Sequence, residues 1–418
     1  NMYEKITLPN GVRIVTEQVD HVRSASVGIW VGNGSRHEPE SLAGISHFIE
    51  HMIFKGTEKR SAQHIAIAMD ALGGQFNAFT TKECTCYYMK VLDTHIKTGI
   101  SILADMFLHS KFAQSDIELE RGVVLEEIDM YEDTPEDVAT EKLFEGCFSG
   151  SSLGHPILGT EETLSGMTTD TLHTYMKDYY RPADTVIAIS GRFDASDLEY
   201  ICSLFAPMQG VGCNQIEPAV YHPEIILRSK EIEQNHLCLG FPGLPISSPE
   251  RYAMQILCSI LGGGMSSRLF QSVREQNGLC YSIYSFCSNH HDAGMVSIYT
   301  ALGKSTEEKA LSLICKVLHE FCRQGPVWDE LNRCREQLKA NILMGLENTS
   351  ARMHQLGRGE LYLGHAVQAD ELIERYDAVT AEEVTTLARR LFDFNQISLC
   401  AVGQTGTREY YANLIQET

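Results

Sequence analysis

Several things are missing from this sequence. No apolar run approaches the roughly 20 residues a bilayer requires; the longest, from about Ala253 to Met265, is broken by Gln255 and a glycine triplet, so no membrane association is expected. No basic stripe offsets the 55 Asp and Glu against 34 Lys and Arg, a formal charge of −21. That argues against nucleic acid as a partner, because Lys and Arg are needed to displace the counterions condensed on phosphates. The 13 cysteines form no CxxC pair, Cys84 and Cys86 being the nearest neighbours. Such scatter fits reduced, buried thiols in a cytoplasmic setting better than a disulfide framework. The first residues, Asn1 to Lys5, show no basic segment followed by an apolar core, so no secretory signal is read there.

What is present is 418 residues with 43% hydrophobic side chains, enough for about two to four domains with cores of their own. The charge is uneven. Residues 1–210 carry 31 acids against 16 bases and the remainder 24 against 18, so the excess sits in the N-terminal half and favours basic or neutral partners.

The chain repeats itself loosely at a spacing of about 210 residues. Asp184 to Gly191 parallels Asn395 to Gly403, each a β-branched run ending at Gly. Leu164 to Tyr180 parallels Tyr376 to Phe392, each a Thr-led helix, and Ser24 to Gly32 parallels His236 to Gly243, each a strand. Periodicity stops between Met208 and Gln215, where a linker is expected. Pro9-Asn10-Gly11 between apolar runs marks a hairpin. The expected architecture is α+β: two similar domains, 1-209 and 210-418, each an antiparallel sheet packed with helices.

Ser41 to Gly56 reads as a buried helix, with Ser41 as its cap and Leu42, Ile45, Phe48, Ile49, Met52 and Ile53 around most of its circumference. His47 and His51, four apart, share one face, with Glu50 beside them. Two imidazoles at that spacing can hold one zinc, and an adjacent carboxylate can deprotonate a metal-bound water; two core histidines bonded to Glu50 remain the alternative. The order H-x-x-E-H is the inverted form of a zinc helix. A further ligand is sought on Ser115 to Tyr131, where Ile117, Leu119, Val123, Val124, Ile128, Met130 and Tyr131 are expected to face the core. Glu118, Glu126 and Asp129 are expected to face water, while Glu120 and Glu127, two turns apart, project from within the apolar arc. Carboxylates so placed are expensive unless paired or metal-bound.

His47-x-x-Glu50-His51 together with Glu120 and Glu127 in Glu-Arg-Gly-Val-Val-Leu-Glu-Glu-Ile resembles the pitrilysin, or inverzincin, family of zinc endopeptidases, and the half-size chain resembles its bacterial processing-protease branch. The resemblance runs over the whole chain, repeat included. It implies one Zn2+ per chain held by His47, His51 and Glu127, Glu50 as general base, and Glu120 supporting a ligand histidine. It further implies that the strand after Gly73-Gly74, with Asn77, Ala78, Phe79 and Thr80, receives an extended peptide through its main chain, although a fully paired interior strand is the alternative.

In the second half, Tyr252 to Leu261 matches the metal helix but has neither His nor Glu. There Arg274 and Tyr281 match the family's substrate-contacting pair, able to fix a peptide carbonyl and support an oxyanion; read alone, they are a surface Arg and a core Tyr. Gly262 to Gly264 resembles a glycine loop of the family's partner subunits, or a turn between helices. The family implies a homodimer, or a heterodimer with a paralogue, in which Arg274 and Tyr281 reach the partner's zinc. The expected activity is hydrolysis of extended peptides or unfolded basic segments. A non-catalytic peptide-binding subunit and a structural-zinc protein are the competing readings.

Overall fold

The computed structural model describes residues 3–416; Asn1 and Met2, part of the N-terminal stretch in which no secretory signal is read, lie outside that range. Among the described residues eleven strands make two sheets. The first is built from β1 (Tyr3–Thr7), β2 (Arg13–Gln18), β3 (Ser24–Val31), β4 (Gln75–Thr80), β5 (Thr85–Leu92) and β6 (Thr185–Gly191), in the order β1-β2-β6-β3-β5-β4. The second contains β7 (Ile225–Ser229), β8 (Asn235–Pro242), β9 (Ser282–Asn289), β10 (Gly294–Leu302) and β11 (Ser398–Gly403), in the order β7-β11-β8-β10-β9.

Setting β1 aside, the two orders are the same, position for position, as an internal duplication requires. Each sheet is antiparallel except for one parallel pair, β2 with β6 and β7 with β11. The Pro9-Asn10-Gly11 turn joins β1 to β2, and Gly11 takes the positive φ of 102° that a side chain would resist. The long terminal helices of the repeat are each broken. They run Glu161–Ser165 then Thr169–Tyr179, and Ala369–Asp377 then Ala381–Leu391, with Thr168 and Thr380 capping the second pieces.

The chain does not divide by a single cut. One compact unit comprises the chain through Ile128, then His155–Glu217 and Leu343–Val367; the other comprises Asp129–Gly154, Pro218–Ile342 and the chain from Gln368. The division at 209/210 read from the repeat therefore differs from the compact units by two exchanged segments, each carrying a helix, and by a shift of the middle border to 217/218. In the first unit Thr349–Leu363 packs on the outer face of the sheet, where Met353 and Leu356 meet Trp30, Val186 and Ala188. The approach is close. A Cβ on Gly28 would lie 2.5 Å from Met353 Sδ, and one on Gly357 would lie 2.1 Å from Trp30 Nε1. In the second unit Pro135–Cys147 packs on its sheet, Val138, Leu143 and Cys147 meeting Cys238, Cys400 and Val402.

The opposite face of the first sheet carries the site. Ile45, Phe48, Ile49 and Met52 are wholly buried against Val27, Ile29, Tyr87, Ile187 and Ile189. At about 1.5–3 kcal/mol for each such side chain, this packing fixes the short helix that bears the histidines.

Candidate metal centre

The histidine helix is shorter than its sequence suggests, Ile45–Met52, with a 3-10 turn at Ile53–Lys55. Ser41 does not cap it; residues Glu40–Leu42 form a separate 3-10 turn. The cap is Glu38, whose carboxylate accepts the N–H groups of Gly44 at 2.9 Å and Ser46 at 2.7 Å. Gly44 itself sits at φ 92°, with Leu158 O in the space a Cβ would need. Glu38 is 3% exposed, and that burial pushes its carboxyl pKa up to about 7 against the backbone N–H bonds that oppose it. No pattern of periodicity marks a carboxylate seven residues ahead of a helix, so this residue was not legible.

A folded-state pKa above the unfolded value means that the native chain holds this proton more tightly than the unfolded one. The corresponding stability is complete below the unfolded pKa of 4.5 and is lost as pH rises through about 7. Wild type should lose up to roughly 3 kcal/mol of unfolding free energy between pH 5 and 7.5 that Glu38→Gln does not lose. Denaturant titrations at a series of pH values measure this, and parallel pH profiles for the two proteins would refute it.

On the histidine helix, His47 Nε2 and His51 Nε2 lie 3.2 Å apart. The helix Gln114–Glu132 brings Glu127 Oε2 to 3.5 Å from the first and 3.3 Å from the second. The His51 ring is turned by its other nitrogen, Nδ1 lying 2.8 Å from Glu120 Oε1, and Glu120 Oε2 in turn accepts from Lys55 Nζ at 2.9 Å. The start of the carboxylate helix is tied to the end of the histidine helix: Lys111 N–H donates to Gly56 O at 3.1 Å, and Thr57 pairs with Ser110. Arg121 anchors it further by donating to Leu164 O and Met167 O.

The expectation for this helix fails on one flank. Ile117 and Val124 are buried, but Leu119 (73%), Val123 (48%) and Met130 (69%) are exposed. The buried arc is centred on Glu120 and Val124, and these three side chains lie beside the carboxylates rather than behind them. Glu120 is buried, Glu127 is half-buried and Glu126 is exposed, as read from the spacing.

Zinc bound at about 2.0–2.1 Å in a tetrahedron separates its ligand atoms by about 3.3 Å. The three separations here, 3.2, 3.3 and 3.5 Å, match that edge length. Among the described residues this is the one cluster of three or more His, Cys, Asp or Glu able to hold a metal, and it has no fourth protein ligand. A closed structural site would need one. Charge agrees with a divalent cation: Glu50, Glu120 and Glu127 outnumber Lys55 by two. Without a cation the excess favours a proton on His51. Burial alone would depress His51, but its bonds to Glu127 and Glu120 carry the pKa up to about 9, while His47 and His51 hold Glu127 well below the usual carboxylate range. Glu120, despite its burial, is likewise held down by His51 and Lys55. Glu120→Gln should weaken zinc binding by about 10–100-fold with no loss of fold, as found for partners that orient ligand histidines. Competition with a chromophoric chelator reads this, and unchanged affinity would remove Glu120 from the site.

Glu50 stands outside the ligand set. Its Oε2 accepts from Thr80 Oγ1 at 2.5 Å, and its other oxygen has no protein partner among the described residues. Thr80 closes β4, which lies at the edge of its sheet, paired with β5 alone. On that strand the Ala78 N–H is taken by the Asn77 side-chain oxygen at 2.8 Å. Phe79 turns to the opposite face, against Trp30 and stacked on His354.

Arg274 and Tyr281 belong to the second unit. Arg274 lies in a π-helical segment, Phe270–Glu275, with its guanidinium 4.7 Å from the Phe270 ring centre. Tyr281 is 71% exposed, not the core residue its type suggests. Gly262 ends the helix Arg251–Gly262, where a Cβ would meet Ser285 N at 2.4 Å, and one on Gly263 would meet Ser259, whereas Gly264 faces open space. Besides Glu38, sequence reasoning missed Lys55, although its place four residues after His51 was a usable signal, and the Thr80 hydroxyl.

Residues 13–161 match the model of the insulinase family, peptidase family M16, and residues 166–338 match that of the peptidase M16 inactive domain. The chain is 45% identical over 392 residues to the uncharacterized zinc protease YmxG of Bacillus subtilis, covering 94% of this chain and 96% of that one. An uncharacterized zinc protease of Streptomyces coelicolor is 38% identical, with 92% and 86% covered. In fold it is similar to a crystal structure of a peptidase M16 inactive domain from Pseudomonas fluorescens (TM-score 0.90, 19% identity, 97% and 99% covered). A protease from Helicobacter pylori is similar as well (TM-score 0.88, 18% identity, 96% and 99% covered). With both halves of the duplicated fold matched, the chain belongs to the peptidase M16, or insulinase/pitrilysin, family.

Proposed function

We propose that this protein is a zinc-dependent endopeptidase that hydrolyses extended peptides or unfolded basic segments. The observation that carries the reading is the convergence of His47, His51 and Glu127 at zinc-ligand spacing with Glu50 beside them and outside the ligand set. Zinc, the metal named for its relatives, would be held by those three side chains and supplies Lewis-acid polarisation of a carbonyl.

The rest is done by the chain. Glu120 and Lys55 fix the tautomer and direction of His51. The free oxygen of Glu50 accepts a proton from the attacking water and returns it to the leaving amine. The open edge of β4 offers main-chain groups to a peptide with little regard to its sequence. Arg274 and Tyr281 enter as substrate contacts able to hold a peptide carbonyl; the resemblance implies that a partner subunit, identical or paralogous, supplies them. Selection for basic segments is supported by the twelve acids between Asp116 and Glu145 against Arg121 and Lys142. Among the described residues no cysteine is placed in a disulfide, which fits a cytoplasmic setting, and no helix is long and apolar enough to cross a membrane.

The test is metal content together with cleavage of an unstructured, internally quenched basic peptide, before and after chelation and after zinc is returned. Zinc near one per chain with chelator-sensitive cleavage is the expected result. Zinc without cleavage would favour the non-catalytic peptide-binding reading, and a folded protein that takes up no zinc would overturn the site.

A further inference from the structure

We propose that Thr80 is a positioning residue for Glu50, so that the strand offered to the peptide also aims the base. This rests on the peptidase reading above and goes beyond it by giving a side-chain role to the end of β4. Three observations carry it. The Thr80 hydroxyl donates to Glu50 Oε2 at 2.5 Å, a short hydrogen bond to an ionisable acceptor, while the other oxygen of that carboxylate has no protein partner among the described residues. One oxygen is fixed and one is left to work.

The donor is itself held from behind. In the turn that follows, Thr81 N–H donates to Cys84 O at 2.8 Å, and Thr81 Oγ1 accepts from the N–H groups of Glu83 and Cys84. That turn is pinned by Arg36, whose N–H donates to Lys82 O at 2.7 Å and whose guanidinium bonds Glu83 in a fully buried pair at 3.0 Å. Gly34 permits the approach, since a Cβ there would lie 2.3 Å from Thr81 O. The third observation is alternation along the strand. Phe76, Ala78 and Thr80 point to the face that carries the histidine helix, Phe76 and Ala78 packing on its core, so the hydroxyl reaches Glu50 only while β4 keeps this register. A hydroxyl on a flexible loop would not orient a carboxylate; one at the pinned end of an edge strand does.

The test compares Thr80→Val, which keeps the branched shape and removes the donor, with Thr80→Ser, which keeps the donor. Thr80→Val is expected to lower kcat by about 10-fold or more with KM within about twofold, and Thr80→Ser to recover kcat to within about threefold of wild type. Zinc content should stay at one per chain. The affinity of a fluorescent peptide, measured by anisotropy in a Glu50→Gln background with and without Thr80→Val, should change by no more than about twofold. If Thr80→Val does not fold, Thr80→Ala takes its place under the same criteria. The proposal is overturned by a kcat within twofold of wild type, by a Ser variant as impaired as the Val variant, or by a loss of peptide affinity as large as the loss in kcat. Wild-type protein that binds zinc and cleaves nothing would instead sink the peptidase reading, and this one with it.

Discussion

Glu50→Gln should lower kcat by at least about 10³-fold while leaving zinc content and thermal stability unchanged. The substitution is nearly isosteric, and the amide oxygen can still accept the Thr80 hydrogen bond, so the surroundings of the side chain persist. What disappears is the capacity to take up a proton. The metal should stay because Glu50 is not one of the three converging side chains placed to hold it. Steady-state kinetics on a quenched peptide, with metal analysis on the same sample, decide it. Turnover near the wild-type rate would remove Glu50 from the chemistry, and loss of zinc together with activity would recast it as part of the metal's support.

Removing a ligand should behave differently. His51→Ala takes away one of the three candidate ligand atoms and the ring N–H that donates to Glu120, leaving Glu120, Glu127 and Glu50 to repel one another around Lys55. Zinc per chain should fall from about one to near zero at micromolar free metal, and hydrolysis with it. The fold should survive with a melting temperature lowered by only a few degrees, because Ile45, Phe48, Ile49 and Met52 pack on the sheet independently of the ring. Global unfolding on loss of the metal would point to a structural zinc, and retained zinc with retained turnover would show that other atoms hold it.

The parts of the site that lay in one periodic element were legible in the sequence. His47 and His51 on one face, and Glu120 and Glu127 two turns apart on another helix, follow from helical geometry. Glu38 was not legible, because a cap supplied from outside the helix leaves no periodic trace, and Ser41 offered a more conventional alternative. Leu119, Val123 and Met130 were misplaced because an apolar side chain next to a functional wall reads the same as one in a core. The edge position of β4 depends on the strand order of a sheet assembled from distant segments, which its own residues do not state. The same holds for helix placement. Nothing within Thr349–Leu363 says which sheet it covers, although Gly28 and Gly357 turn out to be the small residues that admit it.

That placement bears on how the molecule can be taken apart. A fragment ending at the linker would carry His47, Glu50, His51 and Glu127, yet lack the helix that shields Trp30, Val186 and Ala188 and supplies Glu360, a wholly buried carboxylate paired with Lys5 and Arg13. The complementary fragment would lack Pro135–Cys147 and lay bare Cys238, Cys400 and Val402. The borders of the repeat and those of the compact units thus fall in different places. Each half expressed alone would leave one sheet face uncovered, so the two are expected to need co-expression to reach the native packing.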